Sequence, residues 1–398
     1  MFEKKSRKLV LSSVFMIIIV LIFASLTLTR ITFEHNYSGD FKGELTSKDH
    51  KLKLTAIYND IIIDDLPGSL INWTWAEAQS WCSGSGTLSD PYIIESHLLN
   101  VQNQFDGIQI SNSHNKYFII RNCTFRWDGF ISIGSETGVF LSNTTNGYLY
   151  NNTAYGLPTG IYLYQSENIF ITNNTVHNLM SAIYLLESNL SYIYENTGYS
   201  NEVGINLDNS FDNSIYNNTV YSNTNGMQIS NSKYNEIYEN IAYNNDDGIL
   251  VWYSENNNIK HNKLNNNFDH GMEMNNGHNN TILENELISN TQEGINMVNS
   301  HNNTIAKNDI KDNLLDGIYV SNSDDNVISG NIIQNNDDGI NLYVSIYNKI
   351  YENSIDNNNR GIYADLGGNY NLAYWNFFTG NVIHAIDATS TNYWNFTY

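Results

Sequence analysis

Basic residues are scarce in this 398-residue chain. Lys and Arg together number 19, against 41 Asp and Glu, and charged side chains make up only 15% of the sequence. Nine of the 19 lie in the stretch ending at Lys53, beside five acids, so residues 54–398 hold 10 basic and 36 acidic groups. A body with that balance repels phosphate backbones, which excludes nucleic acid as an expected partner. Proline stops at three residues and cysteine at two. There is no CxxC pair, no nucleotide-binding loop, no nucleophile elbow and no outward Thr-x-Thr array of the kind that meets ice. The two cysteines, Cys82 and Cys123, suit either compartment: as a disulfide outside the cytosol, or as two unlinked small core residues. What is abundant is asparagine, about one residue in six. Such polarity would suit a disordered chain, but 41% hydrophobic and 13% aromatic residues supply the core that disordered chains lack.

The N-terminus carries Lys4, Lys5, Arg7 and Lys8, then about 20 mostly apolar positions from Leu9 to Leu28. That run is long for a secretory h-region of about 7–15 residues and sufficient for a spanning helix of about 20. The nearest approach to a small-x-small cleavage site is Ser25-Leu26-Thr27. Residues 1–30 therefore read as a signal-anchor or a cleaved signal peptide. In either case the positive end stays inside and the body is exported, to the cell surface or beyond.

The body repeats. A Gly-apolar-x-apolar tetrad recurs as Gly138-Val139-Phe140-Leu141 and Gly160-Ile161-Tyr162-Leu163, with Ala182 replacing glycine once. It continues from Gly204, Gly226, Gly248, Gly271, Gly294, Gly317, Gly339 and Gly361. The period is 22 residues, widening to 23 at 248→271, 271→294 and 294→317. Gly107 heads an irregular first copy. A second apolar column follows eleven residues after each glycine (Leu149, Ile171, Ile193, Ile215, Ile237), and a third sixteen after (Val176, Val220, Ala242, Leu264). Asparagine stands fourteen after the glycine in ten successive copies, from Asn152 to Asn353. Short period-2 apolar pieces between Asn, Gly and Ser turns are strands. One repeat cannot bury its own apolar residues, but stacked repeats join them into continuous columns. Asparagine tolerates the left-handed conformation a corner needs, and stacked amides bond coil to coil. Eleven steps of ~4.8 Å from Gly107 to Gly361 predict a rod of roughly 50 Å.

The opening Gly84-Ser85-Gly86-Thr87-Leu88-Ser89-Asp90-Pro91-Tyr92-Ile93-Ile94, the 22-residue coils and the Asn-lined corner resemble one group of repeat proteins. They look like the right-handed parallel β-helix of NosD-like, carbohydrate-binding and sugar-hydrolase proteins. The resemblance covers roughly residues 84–385 and implies an all-β solenoid of roughly 12 coils. Around it, residues 31–83 read as an N-terminal linker and cap, with Trp73, Trp75 and Trp81 around Ala76-Glu77-Ala78-Gln79, one turn of helix, and residues 386–398 as a C-terminal cap. The expected partners are a polysaccharide or glycoconjugate, and the membrane through the N-terminal segment. The expected function is binding along the flank of the rod. The alternatives are polysaccharide cleavage (hydrolase before lyase), NosD-like copper handling, or a purely structural spacer or adhesin.

Three features carry candidate chemistry. Residues two and four after each glycine face outward. There Trp252, Glu273, Tyr319 and Tyr343, with Tyr194, Tyr216 and Tyr238 on the next strand, are candidate sugar contacts. The same rings also suit ladders that stabilise sheets by about 0.2–1 kcal/mol per pair. The residue before each glycine is acidic or His in five successive coils: Asp247, His270, Glu293, Asp316 and Asp338. All three widened coils fall here, and Asp247, Asp269, His270 and Glu293 are the catalytic candidates. Carboxylates two coils apart approach the ~6.5–9.5 Å separation of inverting glycosidases. The pattern faintly resembles polygalacturonase sites but lacks their basic element, with only Lys260, Lys263, Lys307 and Lys311 nearby. The third feature is a turn column, Glu255, His278, His301 and Asp324, with donors for Zn or Cu, or for Ca through its acids. No cofactor is required by any of these readings.

Overall fold

The computed structural model describes residues 56–58, 60–101, 106–127 and 136–395. The apolar segment 1–30 therefore lies outside the described residues, and no described helix is long and apolar enough to cross a membrane.

Each apolar column of the sequence becomes one parallel sheet. The Gly tetrads form the tetrad sheet, and the second and third columns form two more, each of fourteen strands. Register is kept from coil to coil: Ile161 pairs with Ile183 and Ile183 with Ile205. In the strand Thr159–Tyr164, Gly160, Ile161 and Leu163 are buried while Tyr162 and Tyr164 are partly exposed. The glycine is required by close approach. A Cβ on Gly248 would lie 2.4 Å from the carbonyl oxygen of Gly271 in the next coil. The three columns meet inside as one hydrophobic core running the length of the solenoid.

Corners are built by pairs of residues. The first takes a left-handed backbone, as at Asn217 (φ 53°), Glu239 (φ 55°) and His261 (φ 54°). The next, Asn218, Asn240 or Asn262, turns its amide inward and is buried. The expectation that one asparagine does both jobs is thus corrected. The left-handed residue redirects the chain, and any side chain tolerating φ > 0 serves there.

The roughly 12 coils expected from the repeat are met by a solenoid of about 13 turns, with fourteen strands in each sheet. Ala56–Tyr58, Ile61–Asp64 and Tyr92–Glu95 make a first coil, and Ile383–Asp387 with Tyr393–Asn395 enter a last one. Coils thus begin upstream of residue 84 and run into the stretch after 385. Ile61-Ile62-Ile63 pairs in register with Ile108-Gln109-Ile110 but has no tetrad glycine to mark it. Between these strands lies the short helix Trp73–Glu77, capped by the Asn72 side chain. Trp73 is buried against Tyr92, the rings stacked 4.5 Å apart, and its Nε1 donates to Ser113 Oγ at 2.8 Å. Cys82 and Cys123 are both free and buried, so no disulfide joins them, and burial pushes each thiol up to about 12.

Candidate functional site

The widened coils owe their extra residue to one corner. A third inward asparagine stands three residues before Gly248 (Asn245) and Gly339 (Asn336). It stands four before Gly271 (Asn267), Gly294 (Asn290) and Gly317 (Asn313). The insertion shortens the tetrad strand. Asp247–Trp252 and Asp338–Tyr343 have six residues, whereas Met272–Asn275, Ile295–Val298 and Ile318–Ser321 have four. His270, Glu293 and Asp316 therefore leave the strand and sit in the turn before it. Their carbonyls still accept the N–H of Gly248, Gly271 and Gly294 at 3.0–3.2 Å, which holds the residues in one column.

Within that column the side chains converge. His270 Nδ1 lies 2.8 Å from Asp247 Oδ1, and its Nε2 lies 3.1 Å from Glu293 Oε2. The His270 backbone N–H also donates to Asp247 Oδ1 at 3.2 Å. These three side chains are only 9–13% exposed, while Asp269, whose Oδ2 is 3.9 Å from Nδ1, is 35% exposed. Burial alone would lower the His270 pKa. The hydrogen bonds to Asp247 and Glu293 and the charges of Asp247 and Asp269 outweigh it and raise the imidazole to about 10. All four catalytic candidates thus meet around one imidazole, but two of the carboxylates are committed to it.

The column continues into residues the sequence reading did not select. Burial pushes Asp316 up to about 7 against the hydrogen bond that Asn341 donates to its Oδ2 at 2.9 Å, and the charges of Asp338 and Glu293 add to the rise. Asp338 is fully buried and receives two bonds from Arg360, Nε to Oδ1 at 2.5 Å and an Nη to Oδ2 at 2.6 Å. Arg360 was findable: it stands just before Gly361, in the column already recognised for its acids.

The candidate sugar contacts fall on two faces. Trp252 (46% exposed), Glu273, Tyr319 and Tyr343 (38% exposed) lie on the tetrad sheet, Tyr194, Tyr216 and Tyr238 on the second-column sheet. The latter three stack with centroids 4.9 Å apart, and Tyr194 is buried with its hydroxyl 3.3 Å from that of Tyr148. They form a ladder. Trp252 and Tyr319 do not, because their register partners are Ser230 and Asn275 and then Asn296 and Asn341.

The turn column does not converge. Glu255 pairs with Lys233, and the His278 and His301 rings stack 5.3 Å apart. Nδ1 of His278 accepts the His301 N–H at 3.1 Å, and Nδ1 of His301 accepts the Asp324 N–H at 2.9 Å. Asp324 in turn accepts the Ile346 N–H. These side chains tie coils together. Among the described residues, the donors close enough to share an ion are those of Asp247, Asp269 and His270, all within 4.8 Å of one another.

Residues 92–292, and again 242–398, match the model of the NosD family, described as a periplasmic copper-binding protein. None of the curated proteins matches. Among solved structures, a mutant of the periplasmic alginate epimerase AlgG is similar at 17% identity with a TM-score of 0.50, over 77% of this chain and 84% of that one. The A-module of the Azotobacter vinelandii mannuronan C-5 epimerase AlgE4 is similar at 14% identity and a TM-score of 0.47, over 84% and 89%. A DFA-IIIase from Arthrobacter chlorophenolicus A6 follows at 13% and 0.42, over 60% and 83%. At such identities the likeness concerns the fold.

Proposed function

Because the chain belongs to the NosD family, we propose that it is an exported β-helix that holds a polysaccharide or glycoconjugate on the outer face of its tetrad sheet. The N-terminal basic and apolar segment would deliver it and anchor it to the membrane, in keeping with the family's periplasmic description. The observation that carries the reading is that Trp252 and Tyr319 stand outside the coil-to-coil ladders, Trp252 stacking only on its chain neighbour Tyr253 at 6.1 Å. Sheet-stabilising ladders account for stacked rings such as Tyr216 and Tyr238, but these two have no ring partner in register. Flat rings that are exposed, as Trp252 is, or partly exposed, as Tyr319 is, present the apolar surface on which sugar faces stack. Binding is favoured over hydrolysis because Asp247 and Glu293 both hold His270, which leaves neither free as acid or base.

The test is a polysaccharide pull-down and glycan array with the purified protein. Trp252→Ala combined with Tyr319→Ala is expected to weaken binding at least tenfold with little change in melting temperature. Tyr216→Ala is expected to lower stability and leave binding intact. Absence of binding to every glycan tested would overturn the proposal.

A further inference from the structure

The donors present do not fit the copper that the family description names. Cu(I) favours thiolate and thioether ligands, and Cys82, Cys123, Met272, Met274 and Met297 are all buried in the core. Both ring nitrogens of His270 are held by carboxylates, at 2.8 Å by Asp247 and at 3.1 Å by Glu293. A different chemistry stands at the corners.

Where the second-column strand turns into the third, the left-handed residue is asparagine in four coils: Asn122, Asn151, Asn173 and Asn217. Each is followed two residues later by threonine, at Thr124, Thr153, Thr175 and Thr219. The result is Asn-x-Thr, the acceptor sequence for an N-linked glycan in an exported chain. Left-handed geometry does not by itself bring that hydroxyl. At the corner before the tetrad strand, Asn178, Asn244, Asn266, Asn335 and Asn357 also take positive φ, and none has Ser or Thr two residues on.

Exposure and hydrogen bonding sort these sequons. Asn217 (φ 53°) is exposed, Asn218 behind it is buried, and Thr219 is partly exposed at the start of the strand Thr219–Tyr221. Asn279 (φ 55°) with Thr281, and Asn302 (φ 58°) with Thr304, repeat this arrangement where the chain enters the second-column sheet. Among the described residues, the side-chain amides of these three asparagines bond to no protein group. Others are committed. Asn151 Nδ2 donates to Asn122 Oδ1 at 2.7 Å, Asn173 Nδ2 to Glu195 Oε2 at 2.9 Å, and Asn143 Nδ2 to Asn112 Oδ1 at 2.8 Å. Asn72 caps a helix, and the Ser191 that would complete the sequon at Asn189 is fully buried.

We propose that Asn217, and one of the pair Asn279 and Asn302, carry N-linked glycans. The pair stand one coil apart, about 4.8 Å, which leaves room for one oligosaccharide. The inference goes beyond the binding function, since the chain here receives sugar, and it rests only on export. The co-substrate is an oligosaccharide carried on a lipid phosphate or pyrophosphate. The bond from Nδ2 to the anomeric carbon forms as the bond from that carbon to the phosphate oxygen breaks. The lipid phosphate leaves with the electron pair, and the amide gives one proton to a base of the transferase.

Peptide mapping by mass spectrometry, on the full chain isolated from its own cell envelope, tests this. Peptides containing Asn217 are expected to carry a glycan mass, and one such mass per chain is expected across residues 279–304. Thr219→Val keeps a β-branched strand residue and should abolish modification at Asn217, whereas Thr219→Ser should retain it. Asn217→Gln should lower the intact mass by one glycan, and glutamine suits the corner, since Gln165 takes φ 50° at another. Bare asparagine at all three positions, or modification of Asn217 that persists in Thr219→Val, overturns the proposal. Failure of the glycan array bears on the binding function alone.

Discussion

Asparagine at an inner corner closes four hydrogen bonds at once. Asn240 Oδ1 accepts from the Asn218 N–H at 3.0 Å and from the Asn218 Nδ2 at 2.9 Å, while Asn240 Nδ2 donates to Ile215 O at 2.9 Å and to Asn262 Oδ1 at 3.0 Å. Each buried polar group left unpaired costs about 1–3 kcal/mol. Asn240→Ala is therefore expected to destabilise by several times the effect of Glu239→Gly next to it, where glycine suits the positive φ. Urea unfolding of the two variants measures this. Asp316 gives a pH effect. Its folded pKa of about 7 stands above the ordinary aspartate value of 3.8, so between those values the native state binds more protons than the unfolded chain. Stability from this group is present at low pH and declines as pH rises from about 4 to 7. The stability of Asp316→Asn relative to wild type should thus improve between pH 4.5 and pH 8. A difference constant with pH would contradict that origin.

At the scale of the element, the tetrad and third-column strands trade volume. Behind most tetrad glycines stands a branched side chain: a Cβ on Gly160 would come within 2.3 Å of Val176. In the next coil the sizes are reversed. Ala182 takes the tetrad position and Gly198 the third-column position, and a Cβ on Gly198 would meet the Ala182 methyl at 3.4 Å. Gly198→Val should therefore overpack the coil, at a cost of about 1–3 kcal/mol. Ala182→Gly in the same chain should recover part of it. A double-mutant cycle by thermal unfolding shows whether the two sites couple; strict additivity would sink the idea. The widened corners work on a different link, since one added residue moves His270, Glu293 and Asp316 out of the strand.

Across the whole molecule, fourteen strands per sheet give thirteen steps and a rod of roughly 62 Å at ~4.8 Å per coil. The middle of that rod was legible from spacing alone, because like residues stack on like and the period writes the register directly. The first coil was not, because Ile61–Asp64 lacks the glycine and is separated from Tyr92–Glu95 by the helix at Trp73. The candidate site was half legible. Its column, its coils and the acids Asp247, Glu293, Asp316 and Asp338 followed from the residue before each glycine, but the ties of Asp316 to Asn341 and of Asp338 to Arg360 did not. By itself the sequence determined the all-β solenoid, its register, its buried columns and the acid-rich coils, since each is a property of periodic pattern. Tertiary structure alone decided that Asp247 and Glu293 close on His270 while His278 and His301 stack apart. It also decided that Cys82 and Cys123 stay unlinked. Repeats fix where a backbone stands. Side-chain torsions, burial and competing backbone donors fix whether neighbouring groups in a ladder converge or splay.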